Sequence, residues 1–163
     1  MAASTQNVTL TSPAFASGQP IPRQHTADGR NVSPPLAWTA GPAGTREWAL
    51  IVDDPDAPRA EPWVHWLLYR IPASTLGLSE DVPPAERVSK PPGALQGRNS
   101  WGRIGYGGPE PPRGHGVHHY HFRLYALDAE VSLPPGADKK TLLNAIQGHV
   151  LAEGELIGTY ERS

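Results

Sequence analysis

The chain has 163 residues, 38% of them hydrophobic, which suits one domain built around one core. Its formal net charge of −2 supplies no general pull toward nucleic acid or an anionic membrane surface, and the absence of cysteine excludes disulfides and thiolate metal sites. Gly (17) and Pro (19) are frequent enough to predict long loops and few helices, yet short of the level of a disordered chain. The first ten residues, MAASTQNVTL, lack a basic segment followed by an apolar one. No run approaches the ~20 apolar residues of a membrane span, so the expectation is a cytoplasmic protein without integral membrane association.

In chain order, residues 1–6 read as a frayed end of a single domain covering 1–163. Val8 and Leu10 alternate with polar neighbours as in a short edge strand. Residues 13–33, broken by Gly, Pro and the turn pair Asp28-Gly29, are expected to be mostly loop. Residues 48–53 are apolar on both faces, the pattern of a central strand, and residues 63–71 (WVHWLLYRI) form another such run. On this second strand strict alternation puts Trp63, His65, Leu67 and Tyr69 on one face and Val64, Trp66 and Leu68 on the other. Residues 72–116 are dominated by Pro and Gly. Residues 117–128 (VHHYHFRLYALD) carry the strongest strand signal, with His118, Tyr120 and Phe122 on one face and His119, His121 and Arg123 on the other. Residues 138–153 alone predict a helix, capped by Asp138 and striped by Leu142, Leu143, Ile146 and Val150. Many short strands and one late helix predict a mainly β sandwich or barrel.

Chemistry concentrates in two stretches. Asp53, Asp54 and Asp56 crowd the end of the first buried strand, and His65 lies on the next strand, within reach of a short returning loop. The bland reading of Asp54-Pro55-Asp56 is a turn, because Asp caps nearby N–H groups and Pro presets φ. A carboxylate facing an imidazole would instead orient a proton or a ligand. The second stretch, GYGGPEPPRGHGVHHYHF (105–122), combines glycines that let backbone approach a ligand with four histidines in close succession. His119 and His121 could share a metal, but the nearest following acid is Asp128, and His149 falls in the predicted helix. No stoichiometric metal and no cofactor are expected. Ser33 and Ser100 could enter a serine triad only on paper, since no G-x-S-x-G elbow is present.

DPDAP (54–58), WVHW (63–66) and GYGGPEPPRGHGVHHYHF together resemble the two signature regions of the phosphatidylethanolamine-binding protein family. NVSPPLAW (31–38), FRLYALD (122–128) and GHVLAEGELIGTYER (148–162) extend the likeness over nearly the whole chain, best to the bacterial branch related to Raf kinase inhibitor protein. The resemblance implies an antiparallel Greek-key β-sandwich with one C-terminal α-helix. It also implies a non-catalytic protein with an anion pocket for phosphate or phospho-head groups, built from Asp54, Asp56, Pro58, Trp63, His65, Gly107, Gly108, Pro109, His118 and Tyr120. The alternative is a hydrolase, metal-dependent or Asp/His-based, in the same pocket. The expected partner is a small anionic or phosphorylated ligand rather than nucleic acid, with a homodimer left open. Glu110 departs from the pattern, since it places an acid beside an anion site.

Two further expectations bear on the pocket. One or both of the Ala57–Pro58 and Glu61–Pro62 bonds are expected to be cis, to turn the chain back toward His65. Carboxylates near His65 and His118 are expected to favour the imidazolium forms, so that anions bind better near pH 6 than near pH 8.

Overall fold

The computed structural model describes residues 6–163. Nine strands and one helix run in the order β1 (Gln6–Asn7), β2 (Leu10–Thr11), β3 (Leu36–Trp38), β4 (Glu47–Asp54), β5 (Trp63–Pro72), β6 (Gly77–Leu78), β7 (Leu95–Gln96), β8 (His118–Leu127), α1 (Lys139–Ile146) and β9 (Val150–Tyr160). A six-stranded sheet has the order β1-β9-β8-β4-β5-β7, and a three-stranded sheet the order β2-β3-β6. All pairings are antiparallel except β1 with β9. The fold is thus the expected mainly β, Greek-key sandwich with one helix near its C-terminal end.

β4 explains the layering. Every one of its residues is buried, and alternation sends Trp48, Leu50 and Val52 one way, Ala49 and Ile51 the other. The first set packs with Leu10, Trp38 and Leu78 of the small sheet and with Trp66, Phe122 and Leu124. The second packs with Leu67, Tyr69, and Leu142 and Ile146 of α1. The large sheet is therefore the middle layer, covered by the small sheet on one face and the helix on the other. A partly buried triad ties the helix on: Asp53, wholly shielded from solvent, accepts from Arg123 Nη1 at 3.0 and 3.2 Å and from Lys139 Nζ at 2.7 Å.

Three expectations change. The helix is half as long as the 138–153 stripe suggested: it keeps its Asp138 cap, whose Oδ1 accepts from Thr141 N at 2.8 Å, but ends at Ile146. Gly148, at φ +83°, then turns the chain in a conformation that side-chain-bearing residues avoid. Val150 accordingly begins β9, and Leu143 is left 38% exposed. Gln6 is paired in parallel with Ala152 of β9 rather than frayed, while the rest of that expected end, residues 1–5, lies outside the described residues. Alternation along β5 is also broken. The β4–β5 register slips between Val52 and Asp53, which skips His65. Trp66 and Leu68 then face one core while Val64, Leu67 and Tyr69 face the other. The expected His65, Leu67, Tyr69 face does not exist.

Candidate functional site

The site begins where β4 runs out. Asp54 Oδ1 accepts the backbone N–H of Asp56 at 2.8 Å, a local turn that opens the connection 55–62. With that turn and the length of the connection, the chain reverses into β5 without an unusual peptide. Ala57–Pro58 and Glu61–Pro62 are both trans, contrary to expectation; the cis bond among the described residues is Lys90–Pro91.

The bulge in β5 turns His65 away from Leu67 and Tyr69 and toward Tyr120. Its ring sits edge-on to Tyr120 (centroids 5.0 Å, 88°) and to Trp101 (5.1 Å, 84°). His65 Nδ1 lies 2.6 Å from the carbonyl oxygen of Gly107, which can only accept, so Nδ1 carries the proton and Nε2 the lone pair. Burial pushes its pKa down to about 4, against the pull of the Gly107 carbonyl and of Asp54. His65 is neutral across the physiological range. The expectation that a nearby carboxylate keeps it charged fails because desolvation outweighs the attraction, and pH-dependent anion binding cannot come from this residue.

β8 supplies the facing wall, with the parity its sequence implied: His118, Tyr120 and Phe122 are buried, His119 is exposed. His118 Nδ1 lies 2.6 Å from Asp54 Oδ2, with both side chains shielded from solvent. A carboxylate accepts, so His118 is held with its proton on Nδ1 and Nε2 pointing away from Asp54. Tyr120 Oη is buried and has no hydrogen-bond partner among the described residues. Burial, with Asp54 nearby, raises the phenol well above its ordinary pKa, so it remains a donor.

A cavity of about 410 Å³ opens over these groups. Of the ten expected residues it is lined by Asp54, Pro58, Trp63, His65, His118 and Tyr120. Asp56 is elsewhere: its Oδ2 takes the N–H of His119 at 2.8 Å and His119 Nδ1 at 2.7 Å. Partial burial would raise the Asp56 carboxyl, but these hydrogen bonds prevail and hold it below its ordinary pKa. Gly107, Gly108 and Pro109 stand behind the cavity rather than in it. A Cβ on Gly107 would come within 2.4 Å of the Trp101 ring, and one on Gly108 within 2.4 Å of the His25 carbonyl oxygen. These glycines permit close packing of the loop. Pro109 accepts the Ala27 N–H through its carbonyl at 3.0 Å.

Among the wall residues that sequence reasoning missed, three bear on the chemistry. Arg59 lies with its guanidinium 4.9 Å from the centre of the Trp63 ring, and Trp101 packs edge-on to Trp63 (5.6 Å, 87°). Arg162 reaches the cavity from beyond the end of β9, held by Asp28 through Nη2 at 2.8 Å and Nε at 3.1 Å. The hydrogen bonds with Asp28 raise the Arg162 pKa further and lower that of Asp28. Arg59 could have been suspected from its place directly after DPDAP; nothing in the sequence couples Arg162 to Asp54. Glu110 also lines the cavity, so two arginines share its wall with two acids. Of the histidines of the metal alternative, His119 Nδ1 meets Asp56 and His121 Nδ1 meets Glu155 at 3.1 Å, which leaves Nε2 of each without either bond. The serines are engaged too, Ser100 Oγ with Val64 N at 2.7 Å and Ser33 Oγ with Val82 N at 2.9 Å.

Comparison with known proteins places this geometry among relatives. The sequence pattern of the family described as phosphatidylethanolamine-binding protein matches residues 11–161. A UPF0098 protein of Methanothermobacter thermautotrophicus is 50% identical over 149 residues, 91% of this chain and 95% of that protein. That relative is archaeal, so the likeness is not confined to the bacterial branch. Among solved structures, Escherichia coli YbcL, described as a member of the mammalian PEBP family, superposes with a TM-score of 0.89 at 33% identity, covering 96% of this chain and 99% of that one. The PEBP homolog CT736 of Chlamydia trachomatis gives 0.86 at 38% identity, covering 98% and 100%.

Proposed function

Since the chain belongs to the phosphatidylethanolamine-binding protein family, we propose that it is a non-catalytic binding protein whose cavity takes a phosphate or a phospho-head group. The Tyr120 hydroxyl carries this reading. A buried donor without a partner costs about 1–3 kcal/mol, and an oxygen-rich ligand in the cavity would remove that cost. Arg59 and Arg162 on the same wall offer charge to an anion, and neutral His65 offers a lone pair to a ligand hydroxyl or ammonium. Glu110 disfavours highly charged ligands, which points to a singly charged diester or a zwitterionic head group over a bare dianion.

A second reading comes from the Asp54–His118 pair at 2.6 Å, the carboxylate–imidazole unit that hydrolases use to position a base. Among the described residues, no side chain beside it has the placement of a nucleophile, and Ser33 and Ser100 are tied to backbone elsewhere. Ligand-observed NMR against phosphate, dimethyl phosphate, phosphoethanolamine and nucleotides tests the binding reading, with phosphoester turnover followed in the same samples. Saturable binding without turnover is the expected result; turnover above background would replace it with the hydrolase reading, and no binding to any of them would end it. No helix among the described residues is long and apolar enough to cross a membrane. A cytoplasmic location is part of the proposal, and cell fractionation checks it.

A further inference from the structure

The loop 110–116 carries a residue that the binding reading does not use. His115 is exposed on this loop, yet its Nδ1 lies 2.6 Å from Nε2 of buried His118, with ring centroids 4.8 Å apart. His118 Nδ1 is committed to Asp54, so Nε2 is the single polar atom with which this histidine can address anything else. His115 holds that atom. Its own anchorage is slight: the backbone bonds nearby are His115 N to Pro112 O at 3.2 Å and Gly114 N to Arg162 O at 3.0 Å. Gly114 (φ +73°) and Gly116 (φ +91°) flank it, and nothing lies within 4 Å of the place of a Cβ on either. Open surroundings and two permissive residues make this a segment that can swing without unpacking a core.

We infer that His115 is a displaceable internal ligand of His118. In the free protein its imidazole occupies the position from which a phosphate-type oxygen would meet His118 Nε2, and it leaves that position when the anion binds. The exchange balances one hydrogen bond for one. When the ring pair holds an added proton, that proton stays on His118 Nε2, donates to the anionic oxygen, and His115 departs as neutral imidazole. When the pair holds none, His118 Nε2 offers a lone pair, and a protonated phosphate oxygen donates into it in place of His115 Nδ1–H. The chemical consequence is selectivity: a ligand with neither an anionic oxygen to accept nor an N–H or O–H to donate cannot open the contact, because it would leave His118 Nε2 unpaired.

The inference rests on the binding reading, and the test separates the two. Dimethyl phosphate and inorganic phosphate are titrated into wild-type protein and His115→Ala, a change at an exposed loop position. The imidazole nitrogens are followed by 15N NMR in wild type. Removing the internal competitor should tighten binding of both probes by about fivefold, the size expected for one exposed hydrogen bond. In wild type the coupling across the His115–His118 contact should vanish at saturation. Equal or weaker affinity in the variant, or a coupling that survives saturation, overturns the displacement while leaving the pocket intact. Failure of both proteins to bind either probe overturns the pocket reading itself, and the displacement with it.

Discussion

Under the proposed function, one atom of Tyr120 would serve binding at the expense of folding. Its ring is buried in the larger core, but its hydroxyl meets no partner among the described residues. Tyr120→Phe removes that unpaired donor while keeping the ring. The variant should therefore be as stable as wild type or more stable by about 1 kcal/mol, yet bind phosphate-type ligands roughly tenfold more weakly. Paired urea denaturation and ligand titration would show this; a loss of stability with unchanged affinity would mean that the hydroxyl serves the fold. At this scale the sequence is informative where period-two parity governs. Simple alternation along β8 is enough to send His118 and Tyr120 inward and His119 outward. It does not say which carboxylate meets which imidazole. Asp54 and Asp56 are chemically alike, and only the turn between them sends one to His118 and the other to His119.

At the scale of elements, strands read well when apolar residues fill them and badly when glycine does. β4, β5 and β8 were legible. β9, with Gly154 and Gly158 in its interior, was not, and the helical stripe ran on into it because Val150 happens to fall in phase with Leu142, Leu143 and Ile146. The register slip that points His65 at Tyr120 leaves no compositional trace in WVHWLL at all. The glycines of β9 have a packing reason: a Cβ at Gly158 would sit 2.5 Å from Ile21 and 2.8 Å from Phe15. Gly158→Ala should accordingly destabilise the protein by about 1–3 kcal/mol through overpacking. Thermal unfolding would measure it; a Tm equal to wild type would show that the 15–21 segment yields freely.

For the whole molecule, His65 sets a pH dependence of stability. It is held at about 4 in the folded chain, against an ordinary value of 6.5. The unfolded chain therefore takes up this proton first as the medium acidifies. The stability is fully present above pH ~6.5 and drains away between there and pH ~4, by roughly 3 kcal/mol in all. The carboxyls held below 3.8, those of Asp28, Asp56 and Asp138, lose their contribution only at lower pH. Glu47, whose carboxyl burial raises above its ordinary value, works in the opposite direction. The informative quantity is thus the difference between wild type and His65→Gln in urea midpoints at pH 7, 5.5 and 4.5. That difference should shrink steadily with acidification, and a constant one would mean that the folded and unfolded chains hold the His65 proton alike.

The position of Arg162 gives the chain a directionality in the hands of an experimenter. Its side chain forms part of the cavity wall and its carbonyl holds the 114 loop position, one residue short of Ser163. Anything appended after Ser163, whether an affinity tag, a fluorophore or a fused partner, is delivered to the mouth of the pocket. A handle there reports on occupancy and obstructs it at once.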